Sequence, residues 1–414
     1  MARKMKDSGI EWIGEIPEGW KLGQIGQLYS ERRTKVSDKD FSPLSVTMKG
    51  ILPQLSTAAK TDAHDDRKLV CRGDFAINSR SDRRGSCGIS DYDGSISLIN
   101  TVLKPRVEMN PGYYNWLFHT SMFADEFYKW GHGIVDDLWT TSWSDMKKIS
   151  VPLPNQEEQN HIAEYLNTEC SHIDAMLDKT RASIEAYKKL KQAVITQAVT
   201  KGVRGEREMK DSGVEWIGEI PKEWSSKRGK QLFIETNERS KTGSEELLTV
   251  SHLTGVTPRS QKNVNMFMSE SLIDYKVCHK GDLAANTMWM WQGAIGVSKF
   301  HGVISPSYNT YRQRNNNYLP EYLDYLLRIR PLIDTYSIYS TGITLSRLRL
   351  YPQSFLSIYF IVPPMDEQIE ISTYLDAKCA EIDTLIAKKE QLVKELESYK
   401  KSLIYEVVTG KREV

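Results

Sequence analysis

The chain has 414 residues, with 55 Lys+Arg against 54 Asp+Glu and 40% hydrophobic residues. That length holds roughly two to four domains of ~100–200 residues, each large enough to bury a core, and the composition excludes wholesale disorder. No apolar run approaches the ~18 residues of a membrane span. Residues 1–6 are basic with no apolar stretch behind them, which excludes a secretory signal. Five cysteines (Cys71, Cys87, Cys170, Cys278, Cys379) form no C-x-x-C pair. They predict a reducing cytoplasm and neither a disulfide framework nor a structural zinc site.

In chain order, the first feature is a motif that occurs twice. Residues 5–20 read Met-Lys-Asp-Ser-Gly-Ile-Glu-Trp-Ile-Gly-Glu-Ile-Pro-Glu-Gly-Trp, and residues 209–224 repeat 13 of these 16. Two copies of ~200 residues are domains, not the ~20–50-residue units of a solenoid. They predict two related units about a pseudo-two-fold axis. Next, Leu69-Val70-Cys71, Arg72-Gly73-Asp74 and Phe75-Ala76-Ile77 read as strand, turn and strand. The frame Gly73-Asp74-Phe75-Ala76-Ile77-Asn78 returns as Gly281-Asp282-Leu283-Ala284-Ala285-Asn286. Gly85, Gly88 and Ser90 are matched by Gly293, Gly296 and Ser298. Residues 88–90 and 95–99 read as strands, and residues 112–118 and 322–327 as short helices, so the front of each unit is mixed α/β.

The back of each unit differs in kind. Residues 157–200 contain no Pro or Gly. Leu166, Ile173, Thr180, Tyr187 and Val194 recur at seven-residue steps, interleaved with Cys170, Leu177, Ile184, Lys191 and Ala198. The second copy has Leu375, Ile382, Lys389, Leu396 and Leu403, interleaved with Cys379, Ile386, Val393, Lys400 and Val407. A sustained a/d seam predicts a coiled coil. Each helix should run ~43 residues, or roughly 65 Å. Pro154 and Asn155 mark the first helix's start, and Gly202 its end. The partner that buries the seam is the repeat itself, in antiparallel pairing. The chain stops soon after the second helix, and the missing continuation stands at residues 5–9. The N-terminal segment is therefore expected to dock beside the second helix's end, closing the molecule into a ring.

Charge is unevenly spread. Residues 1–153 hold 21 basic against 20 acidic side chains, residues 154–205 hold 7 of each, residues 206–361 hold 19 against 16, and residues 362–414 hold 8 against 11. The basic excess, the footprint of nucleic-acid binding, sits in the first and third segments.

Catalytic motifs are missing. There is no G-x-x-x-x-G-K-[ST] and no H-E-x-x-H, and Gly131-His132-Gly133 lacks a strand–helix context. Asn110-Pro111-Gly112-Tyr113 and Val362-Pro363-Pro364-Met365 both fail the Asn/Asp-Pro-Pro-aromatic pattern of an amino-methyltransferase, and Glu208-Met209-Lys210 has no upstream carboxylate pattern. The chain reads as non-catalytic, with no catalytic or metal-ligating residue assigned.

The binding candidates lie where the two copies differ. Inside the shared glycine frame one copy carries Ser79, Arg80, Ser81, Asp82, Arg83 and Arg84. The other carries Thr287, Met288, Trp289, Met290, Trp291 and Gln292. Arginine grips phosphates or guanine edges, and Trp and Gln offer stacking and adenine-type bonding. An earlier divergent pair supplies Thr47 and Lys49 against His252, and a later one sets Trp139-Thr140-Thr141 against Ser346-Arg347-Leu348-Arg349, which supplies Arg347 and Arg349.

The doubled Asp-Ser-Gly-x-Glu-Trp-Ile-Gly-Glu-Ile-Pro-x-x-Trp, the internal Gly-Asp-x-x-x-Asn and the Pro-x-x-x-Glu-Gln before each long helix resemble the specificity (S) subunit of type I restriction–modification systems over essentially the whole chain. The resemblance implies an α+β chain: two pseudo-two-fold-related mixed α/β DNA-recognition domains separated by two long antiparallel coiled-coil helices. Residues 1–153 and 206–361 would be target recognition domains 1 and 2, and residues 154–205 and 362–414 the helical spacers. Each recognition domain would read half of a split target in double-stranded DNA, while the helices set the gap. The subunit would bind no cofactor. It would dock two methyltransferase subunits that bring S-adenosylmethionine, and a restriction motor–nuclease subunit can join. No membrane is implied. The alternative left open by the residues is a coiled-coil protein scaffold without sequence-specific DNA binding.

Overall fold

The structure, a computed structural model, describes residues 3–54, 65–80, 83–133, 139–262, 271–344 and 347–414. It divides into two compact units. The first is Met1–Arg181 together with Glu390–Val414; the second is Ala182–Lys389. Each therefore owns part of both long helices.

In the first unit the doubled motif is a hairpin, Met5–Asp7 against Glu15–Pro17. Its turn is made by the motif's own side chains: Asp7 Oδ1 accepts the Gly9 N–H at 2.9 Å, and Ser8 Oγ accepts the Ile10 N–H at 3.2 Å. A four-stranded antiparallel sheet follows, ordered Cys87–Ile89, Phe75–Asn78, Asn100–Pro105, Tyr29–Glu31. A smaller sheet holds Gly94–Ile96, Arg67–Val70 and Lys35–Val36. The strands on either side of Arg72-Gly73-Asp74 do not pair with each other; the turn passes the chain from one sheet to the next. The strand expected over residues 95–99 is shorter, Gly94–Ile96, because Ser97 O is taken by both the backbone and side-chain amides of Asn100 in a turn. Helices Pro111–Phe118 and Ser121–Lys129 cover the sheet with aromatic rings, Phe75, Phe118 and Phe123 lying at successive centroid distances of 4.6 Å. Such contacts add to the burial of the rings' apolar area.

The second unit repeats the plan. Its hairpin is Met209–Asp211 with Glu219–Pro221, and its sheet runs Phe233–Thr236, Asn309–Gln313, Leu283–Ala285, Ile295–Val297. Helices Pro320–Leu326 and Arg330–Tyr339 pack over it, with Phe355 at 4.6 Å from Tyr311.

The long helices are Gln156–Lys201 and Met365–Val408. None of the twenty seam positions is exposed. Within each unit the two helices run antiparallel, as the cross-pairs require. In the first, Asp174 meets Lys400 at 2.6 Å and Arg181 meets Glu397 at 2.6 Å; in the second, Lys191 meets Asp383 at 2.6 Å while Arg204 reaches Asp366 and Glu370 at 2.7 Å. The seam lysines Lys191 and Lys400 are thus partnered rather than defects, and they fix register. Asp174→Lys should cost about 1 kcal/mol by setting like charges together, and adding Lys400→Asp should restore most of it. A thermal-denaturation double-mutant cycle checks this.

The ends of the helices explain the Pro-x-x-x-Glu-Gln motif. Gln159 Oε1 accepts the Asn110 N–H at 2.9 Å while its amide donates to Pro154 O at 2.9 Å. Gln368 accepts the Leu319 N–H at 2.8 Å and donates to Asn317 O at 2.8 Å and Pro363 O at 2.9 Å. At the far ends, buried Tyr113 donates to Val408 O at 2.9 Å and buried Tyr322 to Val199 O at 2.8 Å, satisfying carbonyls that a helix end leaves free. The N-terminal segment docks as expected beside the second helix's end, within the first unit: Tyr405 Oη donates to Ile13 O at 3.0 Å, and Gly410 packs on Pro17 and Trp20.

Trp20 and Trp224, both essentially inaccessible, sit under Arg3 and Arg207 at 5.4 Å. Trp20 Nε1 donates to Glu158 at 3.0 Å, and Arg3 pairs with the same carboxylate. Partial burial pushes the Glu158 carboxyl up, but the Trp20 and Arg3 donors outweigh it and hold the group below its ordinary value. Its contribution is then complete above the unfolded value of about 4.3 and lost as pH falls through the lower folded value. The acid side of the first unit's stability profile should flatten in Glu158→Gln, measured by thermal denaturation between pH 3 and pH 6.

Candidate nucleic-acid interface

The glycine frame builds a loop platform in each unit. Asp74 is buried and receives Arg32 through two hydrogen bonds, at 2.6 and 3.0 Å, and the Cys71 N–H at 2.9 Å. Asp282 does the same with Arg312, at 2.8 and 2.8 Å, and with the His279 N–H at 3.1 Å. Bidentate charged pairs of this kind fix geometry as well as energy. Four residues on, the Asn of the motif launches the divergent loop: Asn78 Oδ1 accepts the Arg80 N–H at 3.0 Å and Asn286 Oδ1 the Met288 N–H at 3.2 Å. Gly85 and Gly293 end the loops at φ of 76° and 85°, a region that favours glycine. At Gly88 and Gly296 the sheet meets the preceding hairpin so closely that a Cβ would lie 2.8 Å from Gly50 or 3.2 Å from Gly255.

In the first unit this brings two candidate segments edge to edge. Thr141 N donates to Ser79 O at 3.0 Å, and Arg80 bridges Thr140, which also pairs with His132. Ser79 Oγ bonds Thr101 Oγ1 at 3.0 Å. Arg80 is exposed and meets no carboxylate among the described residues, whereas Arg84 pairs with Asp125 and lies 5.7 Å over Tyr128. Arg83 is exposed. Ser81 lies outside the described residues. Thr47 uses its hydroxyl in its own turn, donating to Gly50 O at 2.9 Å, and Lys49 is exposed beside it.

The second unit joins the corresponding segments: Leu350 N donates to Thr287 O at 3.3 Å, and Arg349 bridges Thr341. Thr287 is buried, its hydroxyl donating to Ser307 O at 3.0 Å and accepting from Asn309 at 3.3 Å. Behind it, Lys276 donates to Asn309 at 3.0 Å, and burial pushes its ammonium below the ordinary lysine value. Trp289 is 46% exposed and stacks on Trp291 at 6.1 Å and 16°. The Trp291 indole N–H is spent on Met288 O at 3.1 Å, and Gln292 is half-buried. Arg347 is exposed, Arg349 is half-buried and donates to its neighbour Leu348 O at 2.8 Å, and His252 is exposed in its own hairpin turn.

Sequence reasoning missed Arg32, Arg312, Lys276 and Asp125. The repeated Gly-Asp marked one partner of each arginine pair, but the arginines lie 42 and 30 residues away with no local signal. All five cysteines are free, and burial pushes Cys87 and Cys278 up to about 12. Among the described residues no group of three or more His, Cys, Asp or Glu is placed to hold a metal, and no helix is long and apolar enough to cross a membrane.

These features define a class: two sheet platforms, each presenting paired divergent loops and each sharing in two long helices. The chain is a relative of the specificity subunits of type I restriction enzymes and has the HsdS fold. It is 22% identical, over 96% of its length and 95% of the relative's, to a protein of Methanocaldococcus jannaschii provisionally assigned as the type I restriction enzyme MjaX specificity subunit. It is 25% identical over 227 residues to the type I restriction enzyme MjaVIII specificity subunit of the same organism, half of each chain being covered (52% and 50%). A solved chain of a type I R-M system, from work on complex assembly and conformational transition, superposes with a TM-score of 0.73 at 14% identity, covering 96% of this chain and 99% of that one. The HsdS subunit from Thermoanaerobacter tengcongensis gives 0.56 at 16%, covering 96% and 98%. No protein-family model matches the chain.

Proposed function

We propose that this chain is the non-catalytic DNA-specificity subunit of a type I restriction–modification complex. Residues 1–153 and 206–361 are its recognition domains, each reading half of a split target. The long helices set the gap and dock two methyltransferase subunits, which carry S-adenosylmethionine; a restriction subunit joins for cleavage. The complex works on double-stranded DNA in the cytoplasm. One observation carries the reading: in both units the same Asp–Asn–Gly frame sets two loops of divergent sequence edge to edge. A fixed frame with exchangeable loops suits reading different bases from equivalent positions, while phosphate contacts hold register.

The test is co-expression with a type I methyltransferase subunit from the same genome, followed by mapping of methylated adenines across the host genome. A new split motif that disappears when this chain is omitted is the expected result. A stable, active complex without any new motif would replace the reading with that of a protein scaffold.

A further inference from the structure

The two platforms carry different chemistry. The first presents arginines. The second presents apolar side chains to solvent: Trp289 is 46% exposed and Ile343 94%. Hydrogen bonds join the two segments that carry them. Ser337 donates to Trp291 O at 3.4 Å, Leu350 bonds Thr287, and the Thr341–Arg349 bridge carries Ile343 between its arms. Large apolar side chains held out to solvent on joined loops suit a binding surface. The two joined segments themselves carry charge of one sign: residues 336–351 contain Arg347 and Arg349 and no Asp or Glu, and residues 283–297 contain no ionisable side chain. A surface that is apolar with a cationic border fits a polyanion that also offers an apolar group. The major groove of DNA offers one, the C5-methyl of thymine.

We propose that the second unit reads thymine methyl groups through Trp289 and Ile343, with Trp291 as the plate that backs Trp289 and Arg347 as the flanking phosphate contact. The inference rests on the DNA-specificity reading and assigns the chemistry of one half-site. Trp291 is a positioning residue, since its only polar donor is already engaged inside the loop.

Once the split motif is known, the complex of this chain with its methyltransferase is titrated with duplexes in which single thymidines are replaced by deoxyuridine. In the half-site read by the second unit, each contacted methyl removed should weaken binding about four-fold, the worth of one buried carbon. Thymidines of the other half-site should tolerate the change. Trp289→Ala and Ile343→Ala should each bind more weakly but lose the discrimination between thymidine and deoxyuridine, which general damage to the fold would not do. Equal binding of both duplex series by the unsubstituted complex would overturn the inference and leave the specificity reading standing. Release of the methyltransferase by either substitution would also overturn it, by making the patch a protein contact. Absence of any split motif would remove both.

Discussion

Gln368→Ala should destabilise the second unit by about 3–5 kcal/mol, more than any other single change considered. Gln368 is fully inaccessible and makes three hydrogen bonds to backbone groups of two segments, residues 317–319 and Pro363. Truncation strands one N–H and two carbonyls, and each buried polar group left unpaired costs about 1–3 kcal/mol, partly offset by local relaxation. Gln159→Ala removes two such bonds and should cost less, about 2–3 kcal/mol, in the first unit. Hydrogen exchange resolved by segment reads both: protection should fall around residues 317–319 in one variant and around residue 110 in the other. Equal, small losses would mean that water replaces the glutamine amide at both sites.

Under the proposed function, Arg80→Ala should have the largest effect on specificity. Of the arginines in its loop with a described environment, Arg84 is held by Asp125 and Tyr128, while Arg80 is exposed and meets no carboxylate among the described residues. A bidentate contact to a base edge is worth about 1–3 kcal/mol, so methylation should fall about 5- to 150-fold at the native site and relax at one base position of one half-site. Arg84→Ala should instead loosen the loop and weaken all sequences of that half-site similarly. Methylation frequencies over motif variants separate the two patterns. If Arg80→Ala lowered every sequence alike and reduced the salt slope by about one, Arg80 would be a phosphate contact.

Much of this architecture could be read from the sequence because it is written twice. The heptad series located both seams, including Lys191 and Lys400, whose pairing with Asp383 and Asp174 turns an apparent fault into a register device. The repeated Asn, Gly and Gln positions were visible as frame, but their roles were not. A side chain that caps a loop two residues on, like Asn78, looks in sequence like any polar strand end. The site itself was only partly legible. Loop position identified Arg80 and Trp289, which are exposed, alongside Thr287, whose hydroxyl turns inward. Whether a residue in a loop faces out depends on partners such as Asp125 and Asn309 that lie far along the chain.

The division of the helices between the units also orders their assembly. The second unit is one continuous stretch, Ala182–Lys389, and every contact inside it is available as soon as that stretch has left the ribosome. The first unit needs Glu390–Val414, and its Tyr113–Val408 bond joins residues 295 apart. At ~5–20 residues per second, the half-made first unit waits roughly 10–40 s with the seam of residues 166–177 uncovered. The part synthesised first is thus the last to be finished, and during that interval it is the segment of the nascent chain most open to a chaperone or to the wrong helix.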